Sequence, residues 1–129
     1  KIKAGIVYQM GGPQPVARAN FYLTKDDLLS ISRQEGRKAD IGYWEVQCDY
    51  DFQVGGKASN LDAVVTPHAV STTTTDFEGN GSFQNLTPGK YYLIGAAQTR
   101  RGVALWNLPV TTDDQTITLD QNNAAYVSP

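Results

Sequence analysis

"KYYLIGAAQTRRGVALWNLPV", residues 90–110, decides how this chain folds. Two apolar runs, 91–97 and 103–110, flank a polar tip that holds Arg100, Arg101 and Gly102. The pattern predicts strands over 90–98 and 103–109 joined as a hairpin. Successive side chains of an extended chain point to opposite faces, so Tyr91, Leu93 and Gly95 share one side and Tyr92, Ile94 and Ala96 the other. Both faces are apolar, and "VALWNLPV" behaves likewise. A sheet with one wet face would alternate, so a cover is expected on each side of these strands. Residues 24–70 are the nearest source of a second cover, and a partner surface is the other.

Further strands are expected on both sides of this hairpin. "KIKAGIVY" (1–8) alternates Ile2, Ala4, Ile6 and Tyr8 before the breaker at 11–13, and "VARANFYL" (16–23) sets Ala17, Ala19, Phe21 and Leu23 on one face. "YWEVQCDYDFQV" (43–54) has the cleanest alternation in the chain, with Trp44, Val46, Cys48, Tyr50, Phe52 and Val54 on one side, and predicts a long half-buried strand. The Thr-rich run from Val70 suits a strand because β-branched residues pack on a pleated surface. Short strands are expected near 81–84 and 115–119. Helical spacing predicts a helix after Thr24, with Thr24 and Asp27 as a capping pair, and a second over 59–68, begun by Ser59 and Asp62 and disturbed by Pro67.

Composition sets the class. The 129 residues suit a single domain spanning 1–129, with 40% hydrophobic and 19% charged residues, 12 Gly and 6 Pro, as in a folded, turn-rich protein. The net charge of −2 and the absence of a basic stripe argue against nucleic-acid binding. No run approaches the roughly 20 apolar residues of a membrane helix, so no membrane insertion is expected. One cysteine, Cys48, excludes an intrachain disulfide and a multi-cysteine metal site. The chain opens on Lys1 rather than Met, as expected of an excised domain or a processed product.

"TTTDFEGNGSFQNLTPGKYYLIGA" (73–96) carries a motif: a Thr-Asp step, a Gly-rich turn, a short aromatic strand and a Leu-x-Pro-Gly-x-Tyr turn into a central strand. Thr75, Asp76, Gly79, Phe83, Leu86, Pro88, Gly89 and Tyr91 make this stretch resemble the carboxypeptidase regulatory-like domains, which are similar in fold to transthyretin. Pro15, Ala19 and Phe21 resemble the family's opening strands. The resemblance covers roughly 2–23 and 70–121 and implies a mainly β, prealbumin-like (Ig-like) antiparallel sandwich of about seven strands, with 24–70 as an inserted segment containing short helices. It also implies a noncatalytic accessory module and an extracellular, periplasmic or cell-surface location. In physical terms Gly89 is expected to supply the positive φ of a type II turn after Pro88, Asp76 to cap turn backbone, and Tyr91 to enter the core.

Candidate chemistry is sparse. His68 is the single histidine, on an apolar face beside a proline, so a base-and-nucleophile set is not expected. Hydrolases of transthyretin-like fold and intradiol dioxygenases use several histidines and are disfavoured for the same reason. "DFEGNG" imitates half a calcium loop but lacks its terminal Glu, and Glu45, Asp49 and Asp51 are explained by a polar strand face. An isopeptide of the pilin type, from Lys1 or Lys3 to Asn122 or Asn123, lacks the required acid, since Gly95 stands in its place. No cofactor or metal is expected, and the chain is read as no enzyme. Two roles remain. The first is a structural or protein-interaction module, whose partners are another protein, other domains of a parent chain or a second copy of itself. The second is a carbohydrate-binding module using Tyr43, Tyr92 and Trp106 as an aromatic face.

Overall fold

A computed structural model of the chain describes residues 2–7, 13–114 and 116–129. Lys1, Tyr8, Gly11, Gly12 and Gln115, and the facing of Ile2, Ala4 and Ile6, lie outside what is described. The protein is mainly β, with an antiparallel sheet of five strands and three helices. The hairpin at 90–110 is its centre: β6 (Lys90–Thr99) pairs with β7 (Gly102–Thr111) from Lys90 opposite Thr111 to Thr99 opposite Gly102. β3 (Asn20–Thr24) pairs β6, β4 (Ala69–Thr74) pairs β3, and β9 (Tyr126–Val127) pairs β7, giving the order β4-β3-β6-β7-β9. A smaller sheet holds β1 (Ile2–Val7), β2 (Pro13–Pro15), β5 (Asn80–Gly81) and β8 (Ile117–Leu119); β8 runs parallel to β1.

Both faces of the hairpin are covered, as its two-sided apolar pattern requires. Tyr22, Ile94, Ala96, Val103 and Leu105 pack on one side with Leu28, Ile31, Trp44, Cys48, Phe52, Leu61, Val64 and Val65, all from the helices. Phe21, Leu23, Tyr91, Leu93, Ala97, Ala104, Trp106 and Val110 fill the other side with Val16 and with Leu119 of β8. Each fully buried Leu, Ile or Val here contributes roughly 1.5–3 kcal/mol over leaving it in water. The cover on the first side comes from residues 24–70, the nearer of the two expected sources.

The helices are α1 (Leu28–Gln34), α2 (Ile41–Gly55) and α3 (Ser59–Val65), the last running into a 3-10 turn at Thr66–His68 that accommodates Pro67. The expected strand at 43–54 is thus corrected to a 15-residue helix, the longest element in the chain. The even-numbered apolar residues form two sets at i, i+4, i+8. On a helix these sets fall on opposite sides, so Trp44, Cys48 and Phe52 turn inward while Val46, Tyr50 and Val54 face out at 61%, 63% and 70% exposure. Asp40 caps the start by accepting the Gly42 N–H at 3.0 Å, and Gly56 ends the helix in the left-handed region at φ 75°. A helix satisfies its own backbone, whereas a strand here would need a neighbour to pair with.

Local caps also differ from expectation. Thr24 is fully buried in β3, and Asp27 alone caps α1, accepting the Ser30 N–H at 2.7 Å. Ser59 is the first helical residue of α3 and makes no cap bond, and Asp62 turns to Tyr22 instead. The expected strand at 81–84 reduces to Asn80–Gly81, which pairs β1 in the smaller sheet, while β6 pairs β3 and β7. Residues 82–89 therefore cross between sheets and do not close a hairpin.

Candidate functional site

The motif residues build this crossover. Asp76 Oδ1 accepts the N–H groups of Glu78 and Asn80 at 2.9 and 3.0 Å, and Gly79 turns the chain at φ 82°. That is the capping role expected of Asp76. Gly89 has φ 155°, far from the roughly +80° of a type II turn, so the expected turn type after exposed Pro88 is corrected. Its N–H instead donates to Thr112 Oγ1 at 2.9 Å and its carbonyl accepts the Thr112 N–H, tying down the open end of the central hairpin. Tyr91 is buried as expected, its hydroxyl donating to the Thr87 carbonyl four residues upstream and its ring lying 3.9 Å beneath Lys25 Nζ. A buried tyrosine bonded back to its own approach segment holds the entry of a strand.

The three aromatics expected to line a sugar face do not come together. Trp106 is fully buried, 5.8 Å from Phe21 centroid to centroid, and its Nε1–H donates to the Asp120 carbonyl and to Asn123 Oδ1. It cannot stack on a ligand from solvent, which corrects its assignment as a platform. Tyr92 lies half-buried on the opposite face of the sheet, under the helices. Tyr43 is half-buried at the start of α2, edge-on to Trp44 and accepting from Arg37 Nη1 at 2.9 Å.

The other polar candidates are engaged. His68 Nε2 meets Glu35 Oε2 at 2.9 Å, joining the 3-10 turn to the C-cap of α1, and the pair lines neither cleft described below. Cys48 is buried under α2, which pushes its thiol up to about 12; burial is the main cause, reinforced by Asp51. Asp51 is buried rather than on a polar strand face, and accepts from the Asn60 backbone N–H and side-chain amide at 2.9 and 3.0 Å, tying α2 to α3. Asn123 bonds the Trp106 indole and the Thr118 carbonyl. Among the described residues no three His, Cys, Asp or Glu side chains group as metal ligands.

Two clefts remain. One of about 400 Å³ lies between the loop before β3 and the α2–α3 junction, lined by Arg18, Asn20, Lys57, Asp62 and Gln98 among others. At its edge Tyr22 donates to Asp62 Oδ1 at 2.8 Å; burial, and then Asp62, push the phenol up to about 12. The second, about 230 Å³, lies beside the crossover between Leu86, Tyr91, Val110 and Ile117. Neither brings a nucleophile to a base.

The most distinctive surface is the outer side of α2. Val46, Tyr50 and Val54 supply three of the five large apolar side chains that stand exposed, in one line along the helix. Glu45 and Asp49 flank them, and residues 39–56 contain four acidic and no basic residues. Reading this stretch as a strand merged the exposed set with the buried one. The signals that separate them are Asp40 before the run and Gly55-Gly56 after it, a helix start and stop. Among the described residues no helix is long and apolar enough to cross a membrane. No family model matches the chain, and neither a curated protein nor a solved structure matches it.

Proposed function

We propose that this chain is a noncatalytic protein-interaction module that engages its partner through the outer face of α2. The observation that carries the reading is the stripe of Val46, Tyr50 and Val54, three of the five large apolar side chains open to water and the three that share one helix face, beside two well-filled cores. Contiguous exposed apolar surface with a central tyrosine is the pattern of a contact site, and tyrosine is enriched among the residues that dominate binding energy. The acidic flanks favour a partner surface that carries lysine or arginine around an apolar centre. His68 is bonded to Glu35 and stands outside both clefts, which supports the noncatalytic part of the reading.

Two sheets sharing the core around Trp106, the Asp76 turn and the Tyr91 anchor support a prealbumin-like sandwich related to the carboxypeptidase regulatory-like domains, with 24–70 as an added helical layer. An exported or cell-surface location goes with that relationship.

The test is a photo-crosslinking residue placed at Tyr50 in the source cell, followed by identification of the captured protein and measurement of its affinity in purified form. Binding at least tenfold weaker to Val46→Ser/Val54→Ser, and weakened by salt, is expected. An affinity unchanged in that variant overturns the reading.

A further inference from the structure

The five-stranded sheet has two unlike edges. One ends in β9, only two residues long. The other is β4, six residues with the sequence AVSTTT, which pairs β3 and no other strand among the described residues. Open edges invite pairing with another chain, and proteins ordinarily blunt them with lysine, proline, bulges or brevity. β4 contains no charge and no proline. Its one irregularity, where the register slips at Leu23/Thr24, lies at its beginning and leaves 71–74 regular.

The free backbone groups can be assigned. Thr75 N–H donates to the Ala19 carbonyl at 2.9 Å, one step beyond the pair Asn20 and Thr74. Hydrogen-bonded and non-bonded pairs alternate along an antiparallel ladder, so Ser71 and Thr73 bond inward to β3. Thr72 and Thr74 turn their N–H and C=O outward, and their side chains are exposed, as is Val70 at 52%.

We propose that β4 is a self-pairing edge, through which two copies of this chain join antiparallel about a two-fold axis at Thr72 to make one continuous sheet. In that register Thr72 faces Thr72 of the second copy and their outward groups bond one another, while Val70, beside the bulge, lies across from Thr74. Thr–Thr and Thr–Val are favourable cross-strand pairs, and with no charged residue over 69–75 the two copies meet without like-charge repulsion. A two-fold contact of this kind uses the same patch on both copies and closes on itself, so it stops at a dimer. The surface is separate from the face of α2.

Two substitutions test the pairing and its register. Thr72→Lys points an exposed charge from the edge without touching the ladder to β3, and sets two like charges opposite one another in the dimer. Sedimentation equilibrium over micromolar to millimolar concentrations should show a monomer–dimer equilibrium for the unsubstituted chain, weakened at least tenfold in Thr72→Lys. Under oxidising conditions Thr72→Cys should cross-link to itself, because facing Cα atoms in a bonded pair stand about 5.5 Å apart, within disulfide reach. Val70→Cys should not, its two copies lying about 14 Å apart along the ribbon. A chain that stays monomeric at millimolar concentration, a dimer that survives Thr72→Lys, or cross-linking at Val70 in preference to Thr72 overturns the proposal. An edge that captures only foreign extended peptides gives the first of these results.

Discussion

Gly95 sits in the middle of β6, opposite Phe21 of β3, and its missing side chain is what lets those strands close over a buried ring. A Cβ at this position would lie 2.3 Å from Phe21 Cδ1, 2.6 Å from Cε1 and 2.9 Å from the Asn20 carbonyl oxygen. Phe21 has no room to yield, since it and its neighbour Trp106 are both fully buried. The Asn20 oxygen is backbone, so relief also requires β3 to shift against β6. Overpacking a core costs about 1–3 kcal/mol, and two contacts, one of them to backbone, place Gly95→Ala near the top of that range. Removing a glycine from a strand returns about 0.5–1 kcal/mol through the entropy of the unfolded chain. The net loss expected is about 2 kcal/mol, or a Tm about 8 °C lower for a chain of this length. Urea unfolding followed by circular dichroism and tryptophan fluorescence measures it. The double variant Phe21→Leu/Gly95→Ala should lose less than the sum of its parts by about 1 kcal/mol or more, because the shorter side chain vacates the space. A change within about 0.5 kcal/mol for Gly95→Ala, or additive losses in the double variant, would refute the steric account.

Tyr22 and Cys48 both hold their protons more tightly in the folded chain, each pushed up to about 12, chiefly by burial. The unfolded chain therefore deprotonates first: stability is complete below about pH 8.5 and falls as pH rises towards 12, by up to about 1.4 kcal/mol per pH unit per group. Tyr22→Phe and Cys48→Ala should each flatten the decline in urea-derived stability above pH 9; identical slopes in both variants would contradict the assignment. The Cys48 thiol of native protein should react with a thiol-specific reagent only at the rate of unfolding, and rapid labelling in native buffer would place it nearer the surface. Asp51→Ala removes the acceptor for two Asn60 donors beneath the surface, so a loss of about 2–3 kcal/mol and faster amide exchange in α3 are expected. Unprotected α3 amides in the unsubstituted protein would show that this tie does not hold.

The central hairpin was legible because its signal is doubly redundant: a polar tip at Arg100-Arg101-Gly102 and apolar faces on both sides have one economical solution, a buried antiparallel pair with a layer above and below. The strand ending at Leu23, the strand from Val70 and the helix at Leu61–Val65 are legible from side-chain period and β-branching alone. The stretch at 43–54 misled because a two-residue period contains a four-residue one. Trp44, Cys48 and Phe52 satisfy both, and β-branched and aromatic residues tip a local reading towards a strand, whereas the caps at Asp40 and Gly56 speak for a helix. The three aromatics share only their residue type, since Tyr92 and Trp106 stand on strands whose register sends them to opposite sides of the sheet.

What the chain determines locally is where each segment starts and stops and which residues must leave water, since turn chemistry and side-chain period act over a few residues. Asp76, Gly79 and Tyr91 carry out their turn and anchor roles within that range. Which surfaces remain exposed is decided only by tertiary packing. Val46, Tyr50 and Val54 are as apolar as the residues buried beside them, and β4 is as β-prone as β3. Their exposure follows from the sheet lying under one side of α2 and from strand pairing ending at β4, and each depends on contacts between residues far apart in the chain.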